Sequence, residues 1–169
     1  MVQSVELVFD PDTEAVLRHI WDELREAGIP SQAPAGRPHT TLTVAPRIDP
    51  EVDAVLALLA GRFPLPCQIG APLFFGRAKA VLARLVVPTA ALLDVHAQVH
   101  RLCLTYMHPG PMANAQPGGW TPHVTMARRV VPAQMSRAVR IAGKPEEIIG
   151  TLAGLRRWDG NSKREFPIS

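Results

Sequence analysis

One short, β-leaning stretch occurs twice in this chain. PHTTLT fills residues 38–43 and PHVTMA residues 122–127, 84 positions apart. In an extended strand, side chains two apart share a face. His39, Thr41 and Thr43 therefore fall on one side of their strand, and Thr40, Leu42 and Val44 on the other. His123, Thr125 and Ala127 separate in the same way from Val124 and Met126. Each stretch needs an apolar layer behind it and open space in front for an imidazole and a hydroxyl.

The flanking pattern repeats as well. Residues 4–9 alternate as a strand, and Asp10 or Asp12 can cap a helix with Val16, Ile20, Leu24 and Ala27 on one stripe and Gly28 at its end. A Pro-rich loop leads to the first motif strand, then come a helix over 51–61 and a strand over 64–71. The second half gives strands at 73–77 and 79–88, a Thr89-capped helix over 90–106 and a Gly/Pro-rich loop. The second motif strand follows at 121–129, then a helix over 133–143 and closing strands at 146–158 and 162–168. The order strand, helix, Pro-rich loop, His-x-Thr strand, helix, strand is thus present twice, in halves of about 1–71 and 72–169. So long a period excludes a solenoid and points to two lobes related by a pseudo-twofold axis. The strands alternate rather than running uniformly apolar, which suits antiparallel sheets backed by helices. The expected fold is α+β and bilobal, with two antiparallel sheets, outer helices and a central cleft.

A chain of 169 residues, 47% hydrophobic and 20% charged, is long enough for one domain with a proper core. The net charge of +3 is too small for a long nucleic-acid groove, yet fifteen of the 18 basic residues are Arg, whose planar fork suits phosphate. Cys67 and Cys103 are far apart in apolar runs and read as buried free thiols in a reducing compartment. The first residues show no export signal and nothing approaches a membrane span, so a cytoplasmic location is expected. Monomer is the default for so compact a chain.

A single His-x-Thr match carries no weight in a chain with six His and fourteen Ser or Thr. Two copies, each after Pro and each at the matching place in a repeat, do. If the lobes face each other, two imidazoles and two hydroxyls meet across one cleft. Opening a cyclic phosphodiester needs a base for the attacking water and an acid for the leaving oxygen. Two histidines titrating near neutrality can supply both. Hydroxyl donors can hold the non-bridging oxygens. The chemistry requires neither metal nor cofactor.

These residues, His39-Thr40-Thr41-Leu42 and His123-Val124-Thr125-Met126 with the FFGRAKAVLARLVVP run between them, resemble the two-histidine (2H) phosphoesterase superfamily and within it the 2′-5′ RNA ligase-like, or RNA cyclic phosphodiesterase, group. The resemblance covers nearly the whole chain. It implies catalytic roles for His39, Thr41, His123 and Thr125, and as substrate an RNA end or a small cyclic nucleotide. Arg128 stands where many relatives of this group carry a basic residue, but in a regular strand it points away from the His face, so a bulge or strand end is needed to bring it to phosphate. Trp120 can stack on a nucleobase or serve packing. The loop 107–119 can act as a lid or as a plain connector.

Two other readings stay open. The chain can be a non-catalytic RNA- or nucleotide-binding module that keeps the cleft. It can also be a zinc-dependent hydrolase built on His96 and His100, which stand at i, i+4 on a helix with His108 beyond, although no carboxylate or Cys completes that set. His19 is expected on the exposed face of the first helix, and Arg37 and Arg129 are weaker phosphate candidates. No K-x-D-G adenylation site or P-loop is present.

Overall fold

The computed structural model describes residues 2–76 and 79–169. It contains β1 (Gln3–Phe9), α1 (Pro11–Glu26), β2 (His39–Ala45), β3 (Arg47–Ile48), α2 (Val52–Leu56), β4 (Leu65–Phe75) and β5 (Ala80–Val86). After these come α3 (Ala90–Cys103), β6 (Met107–His108), β7 (His123–Val130), α4 (Met135–Ala142), β8 (Ile148–Asp159) and β9 (Arg164–Ile168). The class is α+β, as expected, and every strand pair is antiparallel.

The strand order is β2-β1-β8-β4-β5-β7, with β9 on the free part of β8 and a small β3-β6 pair apart. One lobe holds β1, β2, β9 and the second half of β8; the other holds β4, β5 and β7. The long strand β8 belongs to both, because Leu152 pairs with Phe9 on β1 and with Leu65 on β4. The closing strands are exchanged: β4, early in the chain, pairs with β5, and β8, late in the chain, lies beside β1. The expected boundary near residue 71 falls inside β4.

Local chemistry explains the elements. Asp10 caps α1 by accepting from the Thr13 N–H at 3.2 Å, Pro11 opens the helix, and Gly28 beyond its end takes a left-handed φ of 74°. The buried stripe keeps Ile20 and Leu24 from the expected one and adds Leu17 and Trp21, while Ala27 is half-buried and Val16 is exposed. Thr89 caps α3 through the Leu92 N–H at 3.2 Å. The expected helix over 51–61 is shorter, with α2 passing into a 3₁₀ helix at Ala57–Arg62. The two strands expected at 64–71 and 73–77 are one strand, with a register irregularity between Ile69 and Pro72. That bulge turns a single strand from β8 to β5. Positions 77–78 of the FFGRAKAVLARLVVP run lie outside the described residues.

Arg84 on β5 is fully buried and donates to the carbonyls of Ile69, Gly70, Ala142 and Glu146, tying β4 and the end of α4 to the sheet. No helix among the described residues is long and apolar enough to cross a membrane.

Candidate active site

Both motif strands are edge strands with a single long partner, β1 for β2 and β5 for β7. They also face each other, with Cα atoms of the two strands within 8 Å. Each carries a bulge at the fourth motif residue. On β2, Thr41 pairs with Glu6 and Thr43 with Val5, so Leu42 is the extra residue. On β7, Thr125 pairs with Ala83 and Ala127 with Leu82, so Met126 is the extra residue. A bulge of this kind reverses the alternation beyond it.

The consequence differs from the regular-strand expectation at two positions. Thr43 turns into the core, where its hydroxyl meets the Met107 sulfur at 3.8 Å, and Val44 takes its place on the cleft. On β7 the same reversal sends Arg128, five residues past His123, to the cleft wall. The bulge that Arg128 requires is therefore present, two residues before it. A further irregularity lies next to Arg128 and Arg129, where Arg129 takes a left-handed φ of 58°.

The imidazoles are held alike. His39 Nδ1 lies 2.7 Å from the Arg37 carbonyl and His123 Nδ1 lies 2.8 Å from the Thr121 carbonyl. A carbonyl only accepts, so each Nδ1 carries hydrogen and donates it. This assigns the reactive lone pair, or the labile proton, to Nε2 in both rings. Burial pushes the His123 pKa down first of all, and the charges of His39 and Arg128 push it further, while the Thr121 carbonyl opposes the shift.

A cleft of about 990 Å³ opens beside His39 and Arg128. Its wall includes His39, Thr41, Val44, Arg128, Glu6 and Arg156. His123 and Thr125 are not themselves part of the wall. The His123 ring lies against Phe75, with centroids 4.7 Å apart, and Thr125 is 8% exposed. The wall holds Arg18, Arg37, Arg128, Arg156 and Lys163 against Glu6 and Glu165, an excess of three positive charges that suits an anion. Arg18 and Arg37 are engaged by Glu14 at 2.7 and 3.0 Å. Burial opposes charge on Glu165, yet Arg156 and Arg37 hold its carboxyl below the usual range.

Trp120 stands elsewhere. Its ring stacks on His96 with centroids 3.9 Å apart and planes 5° apart, and its N–H donates to the Thr41 carbonyl at 3.0 Å. It supports β2 and does not border the cleft. Trp21, on α1, does the same for the other strand, donating to the Thr125 carbonyl at 3.0 Å. The loop 107–119 is tied down by the β3-β6 pair, by the Met112 N–H on the Val44 carbonyl at 2.9 Å and by buried Ala115, which does not suit a lid.

The zinc reading meets other obstacles. His96 Nε2 lies 3.2 Å from the Leu42 carbonyl and 3.0 Å from that of Ala115, so it points at two acceptors. Burial also lowers the His96 pKa. Among the described residues no group of three His, Cys, Asp or Glu could hold a metal. His108 pairs with Asp49 at 2.8 Å, and His19 is exposed beside Glu23. Both Cys67 and Cys103 are free and buried, and burial raises their thiols to about 11 and about 12.

Sequence reasoning missed Glu6, Arg156, Trp158 and Lys163, all on the cleft wall. The signal for Glu6 was available: in VELVF it shares a face with Ser4, opposite the fully buried Val5 and Leu7.

A sequence profile of the 2′-5′ RNA ligase superfamily matches residues 11–161, nearly the whole chain. A search among curated proteins finds no significant match. Three solved structures share the fold over almost all of both chains. LigT of Escherichia coli complexed with 3′-AMP is 15% identical with a TM-score of 0.61, covering 99% of this chain and 94% of its own. TT0787 of Thermus thermophilus is 15% identical with a TM-score of 0.59, over 100% and 96%. Usb1 of Kluyveromyces marxianus is 9% identical with a TM-score of 0.52, over 98% and 97%. The fold is that of the two-histidine phosphoesterases, a class of enzymes. Within that class, the chain belongs to the 2′-5′ RNA ligase superfamily.

Proposed function

We propose that this protein is a metal-independent phosphoesterase that hydrolyses a 2′,3′-cyclic phosphate or a 2′-5′-type phosphodiester, on an RNA end or a small nucleotide. The supporting observation is the repeated Nδ1–H bond to the carbonyl two residues back, which leaves two imidazoles presenting Nε2. LigT with 3′-AMP and Usb1 with uridine monophosphate are relatives solved with nucleotides, in keeping with a nucleotide substrate here.

In the proposed reaction one neutral imidazole takes a proton from water at Nε2 as the water oxygen bonds to phosphorus. The bond from phosphorus to one ribose oxygen breaks, that oxygen keeps the electron pair, and it takes a proton from Nε2 of the other, protonated imidazole. The products are a phosphomonoester and a free hydroxyl. Thr41 and Thr125 donate to the non-bridging oxygens, and Arg128 offsets their charge. In the ligation direction the two imidazoles exchange roles.

The test is incubation with an oligonucleotide ending in a 2′,3′-cyclic phosphate, with and without EDTA, beside His39→Ala and His123→Ala. Hydrolysis indifferent to EDTA and slowed roughly 10²- to 10⁴-fold by either substitution is expected. Loss of activity in EDTA would favour the zinc hydrolase. Cyclic phosphates and 2′-5′ linkages left intact by the wild type would favour the binding module.

A further inference from the structure

The bulges make the two motif strands comparable residue by residue, and the comparison exposes one difference of charge on each side. Opposite Thr41 stands Glu6; opposite Thr125 stands Ala83. Five residues past His39 is Val44; five past His123 is Arg128. A carboxylate thus accompanies the first imidazole and a guanidinium the second.

Glu6 is 3% exposed and its Oε1 lies 3.6 Å from His39 Nε2. The same oxygen accepts from the Ser4 hydroxyl at 2.6 Å, while Oε2 accepts from Arg156 Nε at 2.8 Å. Arg156 also binds Glu165 at 2.5 Å, so this one cation serves two carboxylates. Arg37 reaches Glu165 at 3.4 Å but is held closer, at 3.0 Å, by Glu14. Arg156 also lies 3.3 Å from His39 Nδ1, but that nitrogen's hydrogen already goes to the Arg37 carbonyl. Glu6 from β1 and Arg156 from β8 stand beside His39, Arg128 from β7 shares its cleft wall, and His123 on β7 lies within reach of its charge. The charges that act on His123 are those of His39 and Arg128, with no carboxylate contact among the described residues.

We infer that Glu6 is a positioning residue that keeps the proton on His39 Nε2, making His39 the general acid and leaving His123 as the base. A negative charge within about 4–6 Å favours the protonated imidazole. In the second lobe, burial and two positive neighbours hold His123 below its ordinary range and favour the neutral form. The inference rests on the two-histidine reaction proposed above. In that reaction His123 Nε2 takes the proton of the attacking water, and His39 Nε2–H returns one to the ribose oxygen as its bond to phosphorus breaks. Glu6 itself gains and loses no proton.

Three measurements on the full chain test this. The pH dependence of kcat/KM on a 2′,3′-cyclic nucleotide is expected to show its alkaline limb displaced downward by about one unit in Glu6→Gln, with the acid limb in place. The sign follows because removing a negative charge lowers the His39 pKa, so the acid loses its proton at lower pH. Glu6→Asp keeps the charge and is expected to restore most of the limb. On a nucleoside p-nitrophenyl phosphodiester, whose leaving oxygen needs no proton, His39→Ala is expected to lose less than about tenfold and His123→Ala its full factor. Movement of the acid limb in Glu6→Gln, or equal losses for the two His variants on the aryl ester, would overturn the inference. NMR titration of the His39 ring in wild type and Glu6→Gln reads it without turnover: a drop of about one unit supports it and no change overturns it. A wild type inert on every phosphodiester, with the His39 titration displaced as expected, would sink the proposed function alone.

Discussion

The two motif strands share their scaffolding and differ in what surrounds it. β2 and β7 each carry a bulge at the fourth motif residue, each lock an imidazole through the carbonyl two residues back, and each accept an indole N–H on the carbonyl of the motif Thr. The indoles come from unlike places. Trp21 projects from the middle of α1 and is 1% exposed, whereas Trp120 ends a loop and is half-buried against His96. The bonds that fix ring and strand are repeated, while the residues that tune charge are not: Glu6 faces Ala83 across the comparison, and Val44 faces Arg128. Repeated geometry with unequal electrostatics is what acid–base chemistry between two like groups requires.

The largest expected effect beyond the histidines tests whether the hydroxyls are used alike. Thr41→Val and Thr125→Val each remove one donor while keeping the side-chain shape. A loss of roughly 100-fold in kcat is expected for each, from the lower end of what one transition-state donor supplies. Thr→Ser at either site keeps the hydroxyl and is expected to stay within about tenfold of wild type. A large loss at one strand and none at the other would break the equivalence of the two lobes.

Arg128→Val gives β7 the residue that β2 has at the matching place, and its effect is smaller. A charge-assisted bond to phosphate contributes about 1.5–3 kcal/mol, so KM is expected to rise roughly 10- to 100-fold with a lesser change in kcat. The pH profile adds a sign. Arg128 is one of the charges that hold the His123 pKa down. Without it that pKa rises, the neutral form needs a higher pH, and the acid limb moves up toward the ordinary imidazole value near about 6.5. Kinetics of kcat/KM against pH in the variant checks this, and an acid limb that stays in place would remove Arg128 from the neighbourhood of the base.

These contrasts set the measure of what can be read without coordinates. The motif strands are legible because a period of two needs only local residues, and β2 is His39–Ala45 as the pattern predicts. Bulges are not local: whether Leu42 or Met126 is extra depends on the partner strand, which is why the regular pattern puts Thr43 on the cleft and Arg128 away from it. That Glu6 faces away from Val5 and Leu7 is local, but its partner is not, because Arg156 comes from β8, 150 residues later in the chain. The stripe on α1 takes in Leu17 and Trp21 in place of Val16 for a similar reason, since that helix packs against α4, β7 and β8, contributed by the other half of the chain. The two expected strands at 64–71 and 73–77 are fused because Pro72, which falls between them, closes an irregularity within one strand.

The smallest expected effect concerns the residue between His and Thr. It is Thr40 on β2 and Val124 on β7, both fully buried behind the motif face. The Thr40 hydroxyl has no hydrogen-bond partner among the described residues. Burying a hydroxyl without a partner costs about 1–3 kcal/mol, whereas valine fills nearly the same volume with no polar atom to satisfy. Thr40→Val therefore makes the first strand match the second, and denaturant unfolding is expected to show a gain of about 1 kcal/mol with kcat/KM unchanged. A loss of stability would mean that Thr40 is bonded in solution to a group the comparison with Val124 does not supply. A loss of activity at unchanged stability would mean that the rear face of β2, unlike that of β7, takes part in the chemistry.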